Sequence, residues 1–326
     1  MSKLFVGIDV GKRTLDALSL DDSDSKGRGF SNDEGGFAKI CTWINNSPEL
    51  THICMEATGS YWKDLAFYLV ARGYIISVVN PACIKAFARS QLKRSKTDKI
   101  DARVIADFAK AMNPHQWTPP SPEIAELQSL VRYQQAIQQM RRQELNRLES
   151  KHLSKEVENT ILKHVEYLDT EEKRILGAIT SVMKSTKDLR RMHELLVSIP
   201  GIGDKTAAVL LAEIGNIEQF LTSRQLISYA GLCPREIRSG TSVYGKTRLS
   251  KVGNAHIRKA LFLPAMVGRG CNPHLASLYN RLVAAGKNKK CAIGACMRKL
   301  LHLVFVILTK RTPYNPAAIF QGSITV

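Results

Sequence analysis

The chain has 326 residues, of which 44% are apolar and 23% charged, and its formal net charge is +18. This composition is typical of an ordered protein with room for two domains, and it excludes an intrinsically disordered chain. The positive charge is concentrated toward the C-terminus, because residues 231–326 contain 16 lysines and arginines but one acid, Glu236. Such a region predicts a polyanionic partner. Since it shows no basic amphipathic helix with an aromatic-rich face, we expect nucleic acid and no membrane.

Cysteine usage and the chain start indicate the compartment. The seven cysteines form no Cys-x-x-Cys pair, which favours reduced thiols in a cytoplasm over a disulfide framework or a zinc site. The opening MSKLFVGIDV reads as a strand and not as a signal peptide. The most apolar run, Leu300–Leu308, has nine residues and is too short to span a bilayer, so we expect a core helix.

Residues 1–118 predict an α/β domain. Strands are expected at Lys3–Asp9, at Thr14–Leu20 and near Arg28–Ser31, and then helix, strand, helix, strand and two helices follow. Asp9 ends the first strand, and Glu56 follows the fourth. This order predicts a mixed α/β sheet with acids at the ends of its first and fourth strands.

A helix after the sheet carries two further acids, in the stretch KTDKIDA. On a helical wheel Asp98 and Asp101 lie about 60° apart, flanked by apolar residues. Carboxylates on a core-facing edge are costly to desolvate unless a cation compensates them, and a divalent metal would do so. A partly exposed acidic pair on a solvated rim is the alternative.

The prolines at 114, 119, 120 and 122 mark a boundary, and residues 119–190 predict a helical segment. A heptad seam runs along it with one polar interruption, as in a coiled coil or a helical hairpin. The seam consists of Ile161, Val165, Leu168, Glu172, Ile175, Ile179 and Val182. The segment is either an oligomerisation arm or a helical pair packed within one protomer.

Residues 191–326 predict a mainly α-helical domain. Leu195–Gly215 reads as a helix-hairpin-helix motif, whose glycines let backbone N–H groups approach a phosphate near Lys205 and Thr206. An ordinary helical hairpin that binds nothing is the alternative. Gly231–Gly253 predicts a long polar loop with five basic residues, after which helices resume near Asn254.

These features together resemble the DEDD-type transposases of bacterial insertion-sequence family 110. The resemblance rests on the four acids in their order, on KTDKIDA, on SIPGIG and on RSGTSVYGKTRLSKVGNAHIRKAL, and it covers essentially the whole chain. It implies a RuvC-like, RNase H-like α/β domain at 1–118, a helical coiled-coil arm at 119–190 and a helical transposase domain at 191–326. The implied activity is site-specific DNA recombination that excises and inserts an element.

The resemblance also implies the site residues. Asp9, Glu56, Asp98 and Asp101 would bind divalent metal, and their hard oxygens suit two Mg²⁺ ions better than zinc. By motif position the attacking nucleophile would be Ser239, which would hold the broken DNA as a phosphoserine ester and allow religation without ATP. Thr241 and Ser242 are near enough to compete with it.

The implied partners are donor and target double-stranded DNA, a structured non-coding guide RNA that pairs with both, and further copies of the chain in a homotetramer. The expected location is the bacterial cytoplasm, at the nucleoid. Basic residues near Ser239 are predicted phosphate contacts, although several could be solvated surface. They are Arg235, Arg238, Lys246, Arg248, Lys251, Arg258 and Lys259.

Three other interpretations stay open. A RuvC-like structure-specific nuclease would use the same acids with water as the nucleophile. The stretch Gly7–Gly11 also resembles the phosphate loop of actin-like sugar kinases, but the sequence shows no second nucleotide-binding half. An inactive nucleic-acid binder descended from a transposase is the third, and the presence of all four acids argues against it.

Overall fold

The computed structural model describes residues 3–20, 25–45, 47–91, 98–150, 152–235, 238–239, 243–244 and 248–316. The chain divides into two compact units, which we call the N-terminal unit (Met1–Pro119) and the C-terminal unit (Pro120–Val326). The division falls in the proline-rich stretch, where the missing N–H groups prevent a helix or strand from continuing. The predicted separation of residues 119–190 from 191–326 as domains of their own stays a prediction.

In the described part of the N-terminal unit, five strands form one sheet. Their order is β3-β2-β1-β4-β5, with β2 antiparallel to β1 and β3, and with β4 parallel to β1 and β5. The strands are β1 Leu4–Val10, β2 Thr14–Leu20, β3 Ser25–Ser31, β4 Thr51–Glu56 and β5 Ile75–Val79. The mixed α/β sheet predicted from the sequence is confirmed.

Helices cover both faces of this sheet. They are α1 Glu34–Ile44, α2 Lys63–Val70, α3 Pro81–Ser90 and α4 Asp98–Met112. Because side chains alternate along a strand, Ile8 and Met55 pack against α1 and α2, whereas Gly7 and Cys54 face α3 and α4. The sheet is therefore buried on both sides, as parallel strands require.

Helix α4 lies directly on β1, at Gly7. A Cβ added to Gly7 would lie 2.2 Å from the carbonyl oxygen of Ala102 and 2.4 Å from the amide nitrogen of Ala106. Just before β1 begins, Lys3 Nζ lies 3.4 Å from Oδ1 of Asn113, the residue that follows the last residue of α4. Helix α4 therefore runs antiparallel to β1, and its first turn lies at the carboxyl end of that strand.

A buried histidine links the sheet to the end of the unit. Nε2 of His52 lies 2.7 Å from Oγ of Ser77, and that oxygen also lies within 3.0 Å of the carbonyl oxygens of Pro114 and His115. Burial, with a smaller contribution from the charge of Lys3, lowers the pKa of His52 to about 4.

The C-terminal unit is mainly helical and has one continuous hydrophobic core. Its helices are α5 Pro122–Leu148, α6 Lys155–Ser185, α7 Lys187–Val197, α8 Asp204–Ile214, α9 Ser223–Tyr229, α10 Ala255–Cys271, α11 Pro273–Ala284 and α12 Lys289–Lys310. Its short strands are β6 Pro234–Arg235, β7 Arg238–Ser239, β8 Val243–Tyr244 and β9 Arg248–Leu249.

The long helices α5 and α6 pack against each other within one chain. Leu168 and Ile175 of the predicted seam are buried between them. Its polar interruption, Glu172, accepts hydrogen bonds from the side-chain amides of Gln134 and Gln138, at 2.8 and 2.9 Å. The structure thus shows the helical-pair alternative, and the oligomerisation role stays a prediction.

Helix α12 contains the apolar run Leu300–Leu308. The nine-residue run was predicted to be too short to span a bilayer, but the helix that contains it has 22 residues, enough by length and composition alone to cross a membrane. The core helices of many other proteins have the same length and composition. Leu300, Leu303 and Val304 are fully buried in the core of the C-terminal unit, as expected for a core helix.

We predict that Gly7→Ala destabilises the N-terminal unit by about 3 kcal/mol, the upper end of the usual range for overpacking. Backbone atoms, which cannot rotate away, occupy the space that the new methyl group needs. Gly27→Ala in β3 is the matched control, because its Cβ would be 3.8 Å from its nearest neighbours. All three tryptophans lie in the N-terminal unit, so their fluorescence in urea measures this effect. Equal stability of the two variants would contradict the packing of α4 described above.

We also predict that the N-terminal unit loses stability as pH falls from about 6.5 to 4. In that window the unfolded chain protonates His52 while the folded chain keeps it neutral, so protons favour unfolding. His52→Gln should flatten this dependence, measured by tryptophan fluorescence in urea at pH 7 and pH 5. His152→Gln, at an exposed histidine, should leave the pH dependence of stability unchanged. Equal pH dependence in wild type and His52→Gln would refute the assignment.

Candidate active site

The sheet register brings Asp9 and Glu56 together. Strands β1 and β4 are parallel, and their last registered pair is Ile8 with Met55, so Asp9 and Glu56 follow side by side. Both point to the face that carries Gly7 and Cys54, because side chains alternate along a strand. Each is partly exposed. This edge, at the carboxyl ends of β1 and β4, is called the acidic edge below.

Helix α4 adds its first turn to the acidic edge. Asp101 directly precedes Ala102, whose carbonyl oxygen lies against Gly7, two residues from Asp9 on the same face. Asp101 is partly exposed. Asp98 is the first residue of α4, and its side chain lies outside the described residues. The topology therefore places the first turn of α4, and with it Asp101, at the end of the sheet where Asp9 and Glu56 lie.

A neighbouring hydroxyl orients one of these carboxylates. Oγ1 of Thr58 donates a hydrogen bond of 2.6 Å to Oε1 of Glu56, and the backbone N–H of Thr58 donates to the Glu56 carbonyl at 2.9 Å. Thr58 was not among the residues predicted from the sequence. The sequence feature that could have identified Thr58 is its position two residues after Glu56, the acid that ends β4.

The chemistry of these side chains suits a hard divalent cation, because carboxylate oxygens are the ligands that Mg²⁺ prefers. Among the described side chains, no group of three or more Asp, Glu, His or Cys is already arranged around a common point. The side chain of Asp98 is not among these described side chains. The prediction of a metal site therefore depends on the carboxylate oxygens as donor atoms and on the topology that brings these residues to one edge of the sheet.

A fifth carboxylate, missed by the sequence analysis, lies at the same edge. Asp16 of β2 is registered directly opposite Asp9 of β1, and such partners point to the same face with Cα atoms about 5 Å apart. Two residues on, Leu18 packs against Ala102 and Ala106 of α4. The signal was available, because the length of the turn between β1 and β2 fixes this pairing.

Ser239 lies on a hairpin that the sequence analysis predicted as a loop. Pro234 and Arg235 pair with Leu249 and Arg248, and inside them β7 pairs with β8, with Ser239 opposite Val243. We call residues 234–249 the serine hairpin. The side chain of Ser239 and residues 240–242, which include Thr241 and Ser242, lie outside what the structure describes.

The predicted basic contacts differ in environment. Arg235 and Arg248 are exposed and lie directly opposite each other on β6 and β9. Lys251 and Lys259 are also exposed. Lys246 and the side chain of Arg238 lie outside the described residues.

Arg258 has structural contacts instead of an open position. Its Nη1 donates to the backbone carbonyls of Ala230, Gly253 and Asn254 at 2.9–3.2 Å. These bonds hold together the two segments that flank the serine hairpin. A phosphate contact by the remaining guanidinium nitrogens stays a prediction.

The predicted order of helix, tight turn and helix forms between α7 and α8, but the two glycines of the turn differ. Gly201 has a φ of +102°, and a Cβ there would lie 3.0 Å from the carbonyl oxygen of Pro264 in α10. Its role is packing. Gly203, just before α8, has open space around it. Lys205 Nζ lies 3.5 Å from Glu172, and Thr206 is partly buried, so phosphate binding here stays a prediction.

Comparison with known proteins identifies the family. Residues 6–156 match the DEDD transposase domain of the IS110 family, and residues 193–280 match the transposase domain of the IS116/IS110/IS902 family. The pilin gene-inverting protein of Moraxella bovis is 33% identical over 319 residues, which cover 97% of this chain and 98% of that protein. The chain belongs to the IS110 family of transposases. The IS1111A transposase of Coxiella burnetii is also similar, at 23% identity over 82% of this chain and 80% of that protein.

Membership of the IS110 family makes the chain a DNA-processing enzyme of the transposase and recombinase class, with DNA as its substrate. The first match spans the acidic edge, and the second spans the serine hairpin. The family assignment leaves the sugar-kinase interpretation of Gly7–Gly11 without support.

We predict that Asp16→Asn lowers DNA strand cleavage by this IS110-family enzyme about tenfold and raises the Mg²⁺ concentration needed for half-maximal cleavage, as expected if the neighbouring Asp9 binds the metal. The change keeps the shape of the side chain and removes a charge opposite Asp9. Asp64→Asn, at an exposed carboxylate in the first turn of α2, is the matched control and should cleave normally. An unchanged Mg²⁺ dependence in Asp16→Asn would exclude Asp16 from the site.

Proposed function

We propose that the chain is an RNA-guided, site-specific DNA recombinase with a RuvC-like N-terminal unit, which cuts and rejoins DNA through a covalent bond to Ser239. The observation that carries the proposal is the acidic edge, where a parallel strand pair and an antiparallel helix bring Asp9, Glu56 and the first turn of α4 together. A mixed sheet with acids at the ends of its first and fourth strands is the arrangement expected of a RuvC-like domain.

In this proposal Asp9, Glu56, Asp98 and Asp101 hold Mg²⁺. The ions would neutralise phosphate charge and steady the attacking and leaving oxygens, which is what a two-metal site supplies in phosphodiester chemistry. The Thr58 hydroxyl keeps Glu56 oriented toward that task. Asp16 adds negative charge beside Asp9 and so favours cation binding.

The role of Ser239 is to conserve the energy of the broken bond. Its hydroxyl oxygen forms a bond to phosphorus while the bond from phosphorus to a deoxyribose oxygen breaks, and the serine proton ends on that leaving oxygen. The reverse reaction, with a hydroxyl group of another DNA strand, restores a phosphodiester and frees the serine. Bonds are exchanged one for one, so no ATP is required.

The relatives support rejoining as well as cutting. Two similar proteins, from Moraxella bovis and Moraxella lacunata, are named pilin gene-inverting proteins. Inverting a gene requires that both ends of a segment be cut and joined again in the opposite orientation. An enzyme that used water as the nucleophile would leave broken ends, so the nuclease alternative explains less.

Charge on the serine hairpin supports contact with the DNA backbone. Arg235 and Arg248 are directly opposed and exposed, and like charges in this position destabilise a strand pair. A phosphate between them would offset that repulsion through charge-assisted hydrogen bonds. Gly203, with its open surroundings, gives a second place where a phosphate could approach backbone N–H groups.

Guide RNA and oligomerisation complete the proposal. The RNA rests on family resemblance and on the basic C-terminal third, because charge alone does not distinguish RNA from DNA. Several large apolar side chains on α5 and α6 are exposed, which supports a further interface there. They are Tyr133, Val157, Leu162 and Tyr167.

Mass photometry of the protein bound to DNA should detect particles that contain four copies of the chain. A particle that contains one copy at concentrations where the enzyme is active would contradict the tetramer.

We predict that Ser239→Ala abolishes recombination and removes the protein–DNA adduct seen on denaturing gels, because the variant has no oxygen with which to hold the phosphate. Thr241→Ala and Ser242→Ala, at the competing hydroxyls, are the controls and should retain the adduct. An adduct that persists in Ser239→Ala would move the nucleophile to another residue. DNA cleavage without any adduct in wild type would favour the nuclease alternative.

The same plasmid assay tests the guide RNA when the flanking non-coding segment is removed. Recombination should require that segment, and the purified protein should carry one discrete RNA. Efficient recombination by RNA-free protein would refute the RNA-guided part and leave the serine chemistry intact.

A further inference from the structure

A buried carboxylate in the C-terminal unit is left unexplained by the proposed chemistry. Glu213 lies in the last turn of α8, and its side chain is fully shielded from solvent. A negative charge is unfavourable at the carboxyl end of a helix and costly to bury without partners. A leucine would fill the same core position without that cost, so the charge calls for a specific explanation.

Two elements from outside α8 supply the partners. Arg132 of α5 binds the carboxylate in a bidentate manner, with Nε 2.8 Å from Oε1 and Nη2 3.0 Å from Oε2. Nδ2 of Asn254 donates to Oε2 at 2.7 Å. Burial alone would raise the pKa of Glu213, but these hydrogen bonds outweigh it, so the pKa lies below its usual value and the group is charged at neutral pH.

Asn254 holds the point where the serine hairpin returns to the helical core. Its Oδ1 accepts hydrogen bonds from the N–H groups of His256 and Ile257, at 2.9 and 3.1 Å, and so caps the start of α10. Its own N–H donates to the carbonyl of Tyr229 at 2.7 Å. Tyr229 ends α9, from which the chain leaves toward the hairpin.

The segment that leads into the serine hairpin, at Tyr229, forms a hydrogen bond with the same glutamate. The hydroxyl of Tyr229 donates to the backbone carbonyl of Glu213 at 3.3 Å. Beside it, the two chain segments nearly touch, because a Cβ on Gly253 would lie 2.3 Å from the carbonyl oxygen of Tyr229. The two segments that flank the serine hairpin therefore meet at Glu213, and Arg132 connects that point to α5.

We propose that Glu213 is a positioning residue for Ser239: through Asn254 and Tyr229 it fixes the base of the serine hairpin, and through Arg132 it sets the hairpin against α5. The inference rests on the proposed role of Ser239 as the nucleophile. A loose base would let the hairpin sample orientations in which the serine oxygen misses phosphorus, although DNA still binds.

Two variants of the full-length protein test this. Glu213→Gln keeps the shape of the side chain but replaces one carboxylate oxygen, an acceptor, with an NH₂ group, a donor. The new group faces the N–H donors of Arg132 and Asn254. Asn254→Ser keeps a good cap for α10 but is too short to reach Glu213. Asp169→Asn, which breaks the Arg141–Asp169 ion pair between α5 and α6, is the matched control away from the hairpin.

Three quantities are measured on each variant: the rate of adduct formation, the DNA dissociation constant and hydrogen exchange. In single-turnover reactions at saturating DNA, adduct formation should slow about tenfold or more in both test variants, a loss typical of small misplacements of a reacting group. The DNA dissociation constant should stay within about twofold of wild type, because the basic surface is unchanged. Hydrogen exchange should accelerate in peptides that cover residues 232–250. In Asp169→Asn none of the three quantities should change.

A double variant separates positioning from general stability. Glu213→Gln with Asn254→Asp exchanges donor and acceptor, restores the side-chain hydrogen bond and keeps an N-cap. Adduct formation should recover at least in part relative to Glu213→Gln. No recovery, although hydrogen exchange returns to the wild-type pattern, would overturn the positioning role.

Failure of this inference is distinguishable from failure of the proposed function. Wild-type exchange and wild-type adduct rates in both single variants would overturn the positioning role while Ser239 remained the nucleophile. Faster exchange with an unchanged adduct rate would also overturn it. An adduct that maps to another residue would instead refute the serine chemistry, and the inference with it.

Discussion

The contact between Gly7 and the backbone of α4 is the constraint on which the candidate active site depends. Strand β1 has no side chain at this position, so the helix approaches closely enough for carbonyl and amide groups to lie where a Cβ would be. That close approach fixes the position of α4 along β1, and α4 runs antiparallel to the strand. Its first turn, which contains Asp98 and Asp101, must then lie at the carboxyl end of β1, beside Asp9 and Glu56.

The C-terminal unit solves a different positioning problem. A short strand ladder such as the serine hairpin buries little apolar surface of its own, and two-stranded hairpins are marginally stable in water. Its position must therefore be set at its base. The structure places there a charged, fully buried glutamate with bidentate and amide partners, and Arg258 joins the flanking carbonyls. Directional hydrogen bonds define an orientation more sharply than apolar packing does.

Much of the fold and part of the site were predictable from the sequence. Strong periodicity gave the strands of the N-terminal sheet, and strand-ending acids predicted the acidic edge. Asp16 was missed because its importance comes from cross-strand register, which depends on counting residues through the turn after Asp9. Long-range partners were also out of reach, since nothing local in the sequence links Glu213 to Arg132 or Gly201 to Pro264. The serine hairpin was predicted as a loop because its two-residue strands are too short to show alternation.

The proposed chemistry depends most on metal binding at the acidic edge. Crystals of the protein with DNA and Mn²⁺, examined by anomalous scattering at the manganese edge, test this directly. We expect anomalous peaks in contact with carboxylate oxygens of both Asp9 and Glu56, at about 2.2 Å, the distance usual for oxygen ligands of such cations. Manganese bound to DNA phosphates elsewhere, with no peak at these two carboxylates in a preparation that cleaves DNA, would contradict the assignment.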